Sequence, residues 1–205
     1  WRPSQEFLRG LPDGERELLE QAVRYRDFAY GAYTQVPGEL APFLEDYLKE
    51  RGISIGNYPT VRDFAVSVAR TVQDENVYTL TPGLTPEGED FVEYFLTESH
   101  RGYCRHFASA VCLLLRASGV PARYVEGYVA SPWGETDEEG WMVLRDSDAH
   151  AWVEIYVSGV GWIPVEATGA SAGGLALTDP AGPEESSGPV VESTEAEETE
   201  SETEE

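Results

Sequence analysis

The residues best suited to nucleophilic chemistry lie in the stretch RGYCRHFASAVCLLLRASG, residues 101–119, which holds both cysteines of the chain. Apolar residues at helical spacing predict a helix from Arg105 to Ser118, with Gly119 in the C-cap region. Cys104 then lies at or just before the first turn. There the free backbone N–H groups and the helix dipole favour a thiolate, and they can also stabilise an oxyanion on a substrate carbonyl. Taken alone, however, a cysteine in this position is more often inert than catalytic.

The same stretch could be interpreted as a disulfide or a metal site. Cys104 and Cys112 are separated by about 12 Å of helical rise, whereas a disulfide requires Cα atoms within about 7 Å, so we expect no bond between them. Cys112 falls among apolar residues and is expected to be a small core residue. His100, Cys104 and His106 are too few for a closed zinc site. We therefore expect no metal and no cofactor, with His106 packed or at the surface and His100 at a helix end.

A second candidate site follows in the segments SDAHAWVEIYV and GWIPVEAT. Side chains alternate faces along a strand, so His150 shares a face with Trp152, opposite an apolar row. If the apolar rows of the two strands face one core, Glu166 lies on the same face as His150 and can hold its imidazole tautomer, with Cys104 at the other ring nitrogen. This pairing requires an odd-numbered or bulged connection between the strands. The alternative is a satisfied polar histidine and a solvated glutamate.

The segments that must position these residues begin with helices. Residues 12–31, residues 41–52 and residues 60–73 have helical patterns, and residues 91–99 form a further short one. In the third of these, Thr60 is a plausible N-cap. The apolar stripe of that helix comprises Val61, Phe64, Ala65, Val68 and Val72.

After residue 122 the periodicity changes to two. Four strands are predicted, with the sequences ARYVEGYVA, GWMVLRD, AHAWVEIYV and GWIPVEAT. The loop SGVG between the last two indicates a hairpin. The fold class is therefore α+β, with N-terminal helices and a nucleophile helix packed on a mostly antiparallel sheet.

The composition is strongly acidic, with 38 acidic and 14 basic residues and a net charge of −24. Eleven of the acids lie between Asp179 and Glu205, and the remainder is still acidic, which argues against nucleic acid as a partner. Residues 170–205 are small, polar and acidic, and we expect a disordered tail or linker. No apolar run is long enough to cross a bilayer. The first residue is Trp1 rather than Met, and we interpret the chain as a processed product or a piece of a larger protein.

The segments GYCRHFASAVCLLLRASGVPARYVEGYV, SDAHAWVEIYV and GWIPVEATG together resemble the three motifs of the transglutaminase-like (papain-like cysteine) core. The resemblance is greatest to bacterial membrane-anchored transglutaminase-like proteins, and it covers roughly residues 60–170. We accordingly divide the chain into an N-terminal helical region (1–59), a catalytic core (60–169) and the acidic tail (170–205).

The resemblance implies a role for each site residue. Cys104 is the expected nucleophile, His150 the base and Glu166 the orienting acid, where many members have Asp followed by Pro. The backbone of Cys104 is expected at the oxyanion, and Asp148 is a possible second acid or a turn-former. Trp152 and Tyr103 are the expected substrate contacts. Trp133, Trp141 and Trp162 could also line the cleft, although aromatic core packing is the alternative.

The implied function is cysteine-dependent acyl transfer on carboxamides through a thioester, either cross-linking of protein glutamine to an amine or the matching hydrolysis. The alternative is a non-catalytic scaffold or adhesion module that retains the fold. The resemblance also implies a domain outside the bacterial cell membrane, with membrane attachment through segments absent from this chain. We expect a protein or peptide substrate and a monomer.

Overall fold

A computed structural model describes residues 3–130 and 134–169 of the chain, so the expected tail at 170–205 lies outside the described residues. The helices are α1 (Gln5–Arg9), α2 (Asp13–Tyr33), α3 (Ala41–Glu50), α4 (Val61–Glu75), α5 (Phe91–Tyr94) and α6 (Cys104–Ala117). The strands are β1 (Val77–Tyr78), β2 (Arg101–Gly102), β3 (Ala122–Tyr128), β4 (Ala149–Val157) and β5 (Gly161–Val165). The fold is α+β, as the sequence predicts.

Helix α4 shows how the local sequence determines these elements. The Thr60 side chain accepts a hydrogen bond from the Asp63 backbone N–H and caps the helix, as predicted. The predicted apolar stripe faces inward, with Phe64, Val68 and Val72 fully buried. The stripe packs against the nucleophile helix α6, and α4 also contacts β5.

Helix α6 lies at the centre of the core. One side packs on β3 and β4, and the other packs on α3 and α4. It begins at Cys104, one residue before the predicted start, and it ends at Ala117 before Gly119 adopts a φ of 76°. Burial on both sides explains why this helix is so apolar for its length. The buried apolar residues of α6 are Cys104, Phe107, Ala108, Ala110, Val111, Cys112, Leu114 and Leu115.

The sheet that carries the histidine has the order β3-β4-β5 and is antiparallel throughout. Val153 pairs with Val165 and Tyr156 with Trp162, so the apolar rows share a face as predicted. The connection from residue 158 to residue 160 has three residues, the odd-numbered loop that this register requires. Gly159 adopts a φ of 84° within it, a conformation that favours glycine.

The predicted strand at 140–146 is wrong. The segment forms one isolated bridge, between Thr136 and Met142, and then a 3-10 turn at Asp146–Asp148. Trp141 and Met142 are 72% and 42% exposed, so no layer formed by the described residues covers their apolar side chains. The backbone N–H of Val143 bonds within the segment, to the carbonyl of Glu135. Alternation without a second layer to bury one face is not enough to build a strand into the sheet.

The N-terminal helices pack on two different parts of the core. Helix α3 buries Leu44, Tyr47 and Leu48 against it. Helix α2 lies over the other face of the sheet through aromatic contacts, with Tyr33 and Trp162 ring centroids 4.8 Å apart. The indole N–H of Trp162 also donates to the Tyr25 hydroxyl at 2.7 Å. Within the described ranges, no helix combines the length and apolarity that crossing a bilayer requires.

Candidate active site

Cys104 is positioned by a short parallel pair of strands. Strand β1 pairs with β2, so that Tyr78 lies opposite Gly102, and the Thr79 N–H donates to the Gly102 carbonyl at 2.7 Å. The chain then passes through Tyr103, the N-cap, to Cys104, the first residue of α6. The thiol therefore lies at a helix N-terminus whose approach is fixed by backbone hydrogen bonds.

The approach is tight at Gly102. A Cβ added there would lie 2.5 Å from the Cβ of His106 and 2.8 Å from a ring carbon of Phe95. His106 is itself buried, and its Nδ1 accepts the Tyr103 N–H at 3.3 Å. Its ring packs between the aromatic rings of Phe91, Phe95 and Tyr103. His106 thus fixes the start of the nucleophile helix.

The hairpin brings His150 and Glu166 together. The Nε2 of His150 lies 2.9 Å from Oε2 and 3.2 Å from Oε1 of Glu166. The imidazole is 5% exposed. Oε1 of Glu166 also accepts the backbone N–H of Thr168 at 2.8 Å and its hydroxyl at 2.7 Å. The carboxylate is therefore held by its own chain while it binds the histidine, and Nδ1 is the ring nitrogen left for Cys104.

The thiolate of Cys104 and the imidazolium of His150 stabilise each other. Burial raises the pKa of Cys104, but the His150 side chain and the backbone N–H groups of Ala151 and Arg105 outweigh it, so the pKa lies below its ordinary value. Interaction with Cys104 and then with Glu166 raises the pKa of His150 to about 9, against the opposing effect of burial. Around neutral pH this arrangement favours a thiolate facing an imidazolium.

The thiol opens on a groove of about 810 Å³. That is ample for one side chain and its flanking peptide. The groove is bounded by the end of β1, the start of α6, the end of β3, the 3-10 turn and the start of β4. Its lining includes Tyr78, Leu80, Tyr103, Cys104, Arg105, Glu126, Tyr128, Asp146, Asp148 and His150.

With this geometry in place, comparison with known proteins is informative. The family model of the transglutaminase-like superfamily matches residues 49–167, more than half of the chain. The chain belongs to the transglutaminase-like superfamily. The match begins within α3, so the end of that helix is part of the matched region.

Relatives of this transglutaminase-like chain are much longer than it is. It is 37% identical over 110 residues to the uncharacterised protein YebA of Bacillus subtilis, covering 53% of this chain and 14% of YebA. It is 42% identical over 92 residues to a protein-glutamine gamma-glutamyltransferase of Pseudomonas aeruginosa, covering 44% of this chain and 13% of that protein.

A solved structure shares the fold. The periplasmic domain of TgpA from Pseudomonas aeruginosa, bound to ethylmercury, superposes with a TM-score of 0.56 and 29% identity. The superposition covers 69% of this chain and 49% of that domain. This transglutaminase-like chain thus spans about half of the solved domain and about a seventh of the curated relatives.

Asp148 and Trp152, two predicted site residues, each make a local contact near the groove. Asp148 lines the groove, but its carboxylate accepts the Arg145 backbone N–H at 2.7 Å, which is the turn-forming alternative. Trp152 stacks beside the His150 ring at an interplanar angle of 16° and is absent from the groove lining. It leans over Gly127, where an added Cβ would meet the indole at 2.8 Å. Trp152 therefore packs beside the imidazole, while Tyr103 does line the groove.

Trp141 and Trp162 are not among the described residues that line the groove. Trp162 lies under α2, and Trp141 is exposed. Trp133 lies outside the described residues. Aromatic packing, the alternative use, accounts for Trp162.

Cys112 and His100 lie in surroundings that give them structural roles. Cys112 is a free thiol, and burial raises its pKa to about 11. His100 follows a π-helical turn, Phe95–Ser99, and adopts a φ of 46° at its C-terminal end, with its Nδ1 3.2 Å from Oδ1 of Asn76. Across residues 3–130 and 134–169, no group of three His, Cys, Asp or Glu side chains could hold a metal ion.

Tyr78 is a groove residue that the sequence does not predict. Burial raises the pKa of its phenol, and the backbone N–H of Cys104 acts on the same oxygen in the opposite direction. The two-residue strand β1 has no periodicity to detect, and its partner β2 lies more than 20 residues further on. No local pattern could have placed this hydroxyl beside the nucleophile.

Proposed function

We propose that this transglutaminase-like domain is a cysteine acyltransferase that acts on carboxamides through a thioester. The observation that supports the proposal most strongly is the contact of His150 with Cys104 on one side and with Glu166, at 2.9 Å, on the other. A thiol, an imidazole and a carboxylate in this order form the nucleophile, base and orienting acid of covalent catalysis. All three lie at or beneath a groove open to solvent.

The proposed reaction begins with attack of the Cys104 thiolate on the carbonyl carbon. A C–S bond forms, and the carbonyl electron pair moves to oxygen, where the Cys104 backbone N–H stabilises it. Imidazolium His150 gives its proton to the departing nitrogen as the C–N bond breaks, leaving a thioester. An acceptor then attacks the thioester, His150 takes the acceptor's proton, and the thiolate leaves. Glu166 holds the imidazole in one orientation throughout.

We infer that the acyl donor is a glutamine side chain in a protein or peptide and that the acceptor is a primary amine. The name of the Pseudomonas aeruginosa relative, a protein-glutamine gamma-glutamyltransferase, supports this choice. The open groove supports a polypeptide substrate rather than an enclosed small molecule. Water as the acceptor would give deamidation, and a peptide bond as the donor would give proteolysis.

We also infer that the domain acts outside the cytoplasm as a monomer. The likeness to a periplasmic domain supports the location outside the cytoplasm. Because the curated relatives are several times longer than the matched region, attachment to a membrane would depend on segments outside this chain.

The experiment that tests the proposed function is incubation with a glutamine-containing peptide and a labelled primary amine, followed by mass spectrometry. We expect amine incorporation, which Cys104→Ala abolishes. Cys112→Ala is the matched control, because that thiol lies away from the groove and should leave incorporation intact. Deamidation or cleavage instead would select a hydrolase, and the absence of every product would favour the non-catalytic scaffold.

A further inference from the structure

The hydroxyl of Tyr78 is a feature of the groove that the proposed steps do not use. Its backbone is fixed by the pairing of β1 with β2, opposite Gly102 and so two residues from Cys104. Its ring packs 6.2 Å, centroid to centroid, from Phe107 on the first turns of α6. The side chain is half-buried and lines the groove together with Cys104.

The phenol of Tyr78 lies close to the position where an oxyanion would form. The Cys104 backbone N–H acts on this oxygen, and the same N–H is a helix N-terminal donor with no carbonyl four residues earlier in the helix. Tyr78 and Cys104 line the same groove, so the phenol and this N–H border the region where a substrate oxygen would lie. A hydroxyl that accepts one hydrogen bond keeps its own O–H available for donation.

We propose that Tyr78 supplies a second oxyanion donor. As Cys104 attacks, the carbonyl oxygen accepts a hydrogen bond from the Cys104 N–H, and the Tyr78 O–H donates a second hydrogen bond to the developing negative charge. No proton is transferred from the phenol. Tyr78 is thus a catalytic residue that binds the transition state more tightly than the carboxamide.

Two properties of the site fit this role. Burial and the nearby Cys104 charge both raise the pKa of the phenol, which keeps it protonated and able to donate over the range in which the thiolate is populated. The β1–β2 hydrogen bonds and the Phe107 contact limit its movement, so little reorganisation is needed when charge develops.

The alternative role of Tyr78 is to block the Cys104 N–H. If Tyr78 merely occupies the Cys104 N–H in the free protein, then removing its hydroxyl should free the donor and speed the reaction. The two roles therefore predict changes of opposite sign for the same variant.

The test is Tyr78→Phe, measured in acyl transfer and in alkylation by iodoacetamide. We expect kcat for amine incorporation to fall by about 10²- to 10³-fold with KM little changed, the loss typical of one oxyanion donor. Alkylation of Cys104 forms no oxyanion, so its rate should stay within about twofold. Tyr58→Phe is the matched control, because it removes a hydroxyl bonded to Ser67 at 2.6 Å and neither residue lines the groove.

The inference rests on the proposed function, but the two can fail separately. If the unmodified protein produces no acyl transfer, the proposed function fails. If the unmodified protein is active and Tyr78→Phe is equally or more active, the oxyanion role is overturned while the function stands. A parallel loss of alkylation and acyl transfer would also overturn it, since that pattern would mean that Tyr78 shapes the thiol rather than the transition state.

Discussion

Glu166 illustrates how one residue can satisfy two requirements at once. Many members of the family have Asp at this position, and the glutamate here is longer by one methylene. The structure shows where that length is used, because one carboxylate oxygen accepts both hydrogen bonds from Thr168 while the other lies 2.9 Å from His150. The Gln73 side chain also donates to the Glu166 carbonyl, at 3.3 Å. Local hydrogen bonds thus compensate for the greater freedom of the longer side chain.

The shifted pKa values of Cys104 and His150 predict a pH dependence. The pKa of Cys104 lies below its ordinary value, so iodoacetamide should alkylate it at pH values where a free thiol is still protonated. The pKa of His150 is raised to about 9. Acyl transfer needs imidazolium for the leaving nitrogen, and so it should decline as the pH rises through about 9, whereas alkylation should not.

Two variants distinguish the effect of the Cys104–His150 pair on the pKa of the thiol from the effect of burial. In His150→Ala the imidazole no longer lowers the pKa of the thiol, while burial still raises it and the backbone N–H groups of Ala151 and Arg105 still lower it, so the midpoint of alkylation should move to higher pH. Cys112→Ala should not alter the profile, since burial keeps that thiol protonated. Identical alkylation midpoints for the unmodified protein and His150→Ala would contradict the pairing.

At the scale of the elements, the nucleophile depends on close packing where β2 meets α6. We predict that Gly102→Ala costs about 1–3 kcal/mol in the free energy of unfolding, because its Cβ would overlap His106 and Phe95. Relief of that overlap must displace the start of α6, so alkylation of Cys104 should slow as well. Urea unfolding and the alkylation rate provide the two measurements.

Gly56→Ala is the matched control for this prediction. Nothing lies within 4 Å of an added Cβ at Gly56, and the variant should resemble the unmodified protein in both measurements. A Gly102→Ala protein of unchanged stability would mean that the approach to α6 adjusts more easily than the packing indicates.

The same elements show which parts of the site the sequence can predict. Cys104, His150 and Glu166 follow from periodicity, because a helix start and a hairpin register are local properties of the chain. The shared face of His150 and Glu166 needed one further condition, a connection of odd length, and the loop between β4 and β5 has three residues. The placement of these three residues is therefore predictable from pattern, whereas their roles are what the resemblance to the family implies.

The remaining features depend on tertiary structure. The apolar alternation at 140–146 suggested a strand, but the segment has no layer to pack on and forms a local turn. Trp152 was expected to contact substrate, yet packing against Gly127 turns it beside the imidazole. Tyr78 was missed because a parallel pair of two-residue strands leaves no periodic signal. In each case the decisive neighbour is distant in sequence.

At the scale of the whole molecule, the two faces of the sheet have different neighbours. One face packs on α6 and carries the core, while the other face is covered by α2 through Tyr25 and Tyr33, which contact Tyr156 and Trp162. Arg123 also lies over the Trp162 ring at 4.3 Å. Helix α2 buries few residues of its own, with Ala29 its one fully covered side chain among those described, so its attachment depends on this aromatic cluster.

Because Trp162 lies outside the groove lining, we predict that a change at this residue alters stability without altering reactivity. Trp162→Ala should lower the free energy of unfolding by about 2–3 kcal/mol, because a half-buried indole loses its packing with α2 and its hydrogen bond to Tyr25. The alkylation rate of Cys104 should be unchanged, since Trp162 lies outside the groove lining. Trp141→Ala is the matched control: that indole is 72% exposed, and its loss should change stability by less than about 0.5 kcal/mol. If Trp162→Ala slowed alkylation in proportion to the lost stability, then α2 and the sheet would support the thiol directly, and the N-terminal helices would belong to the catalytic unit.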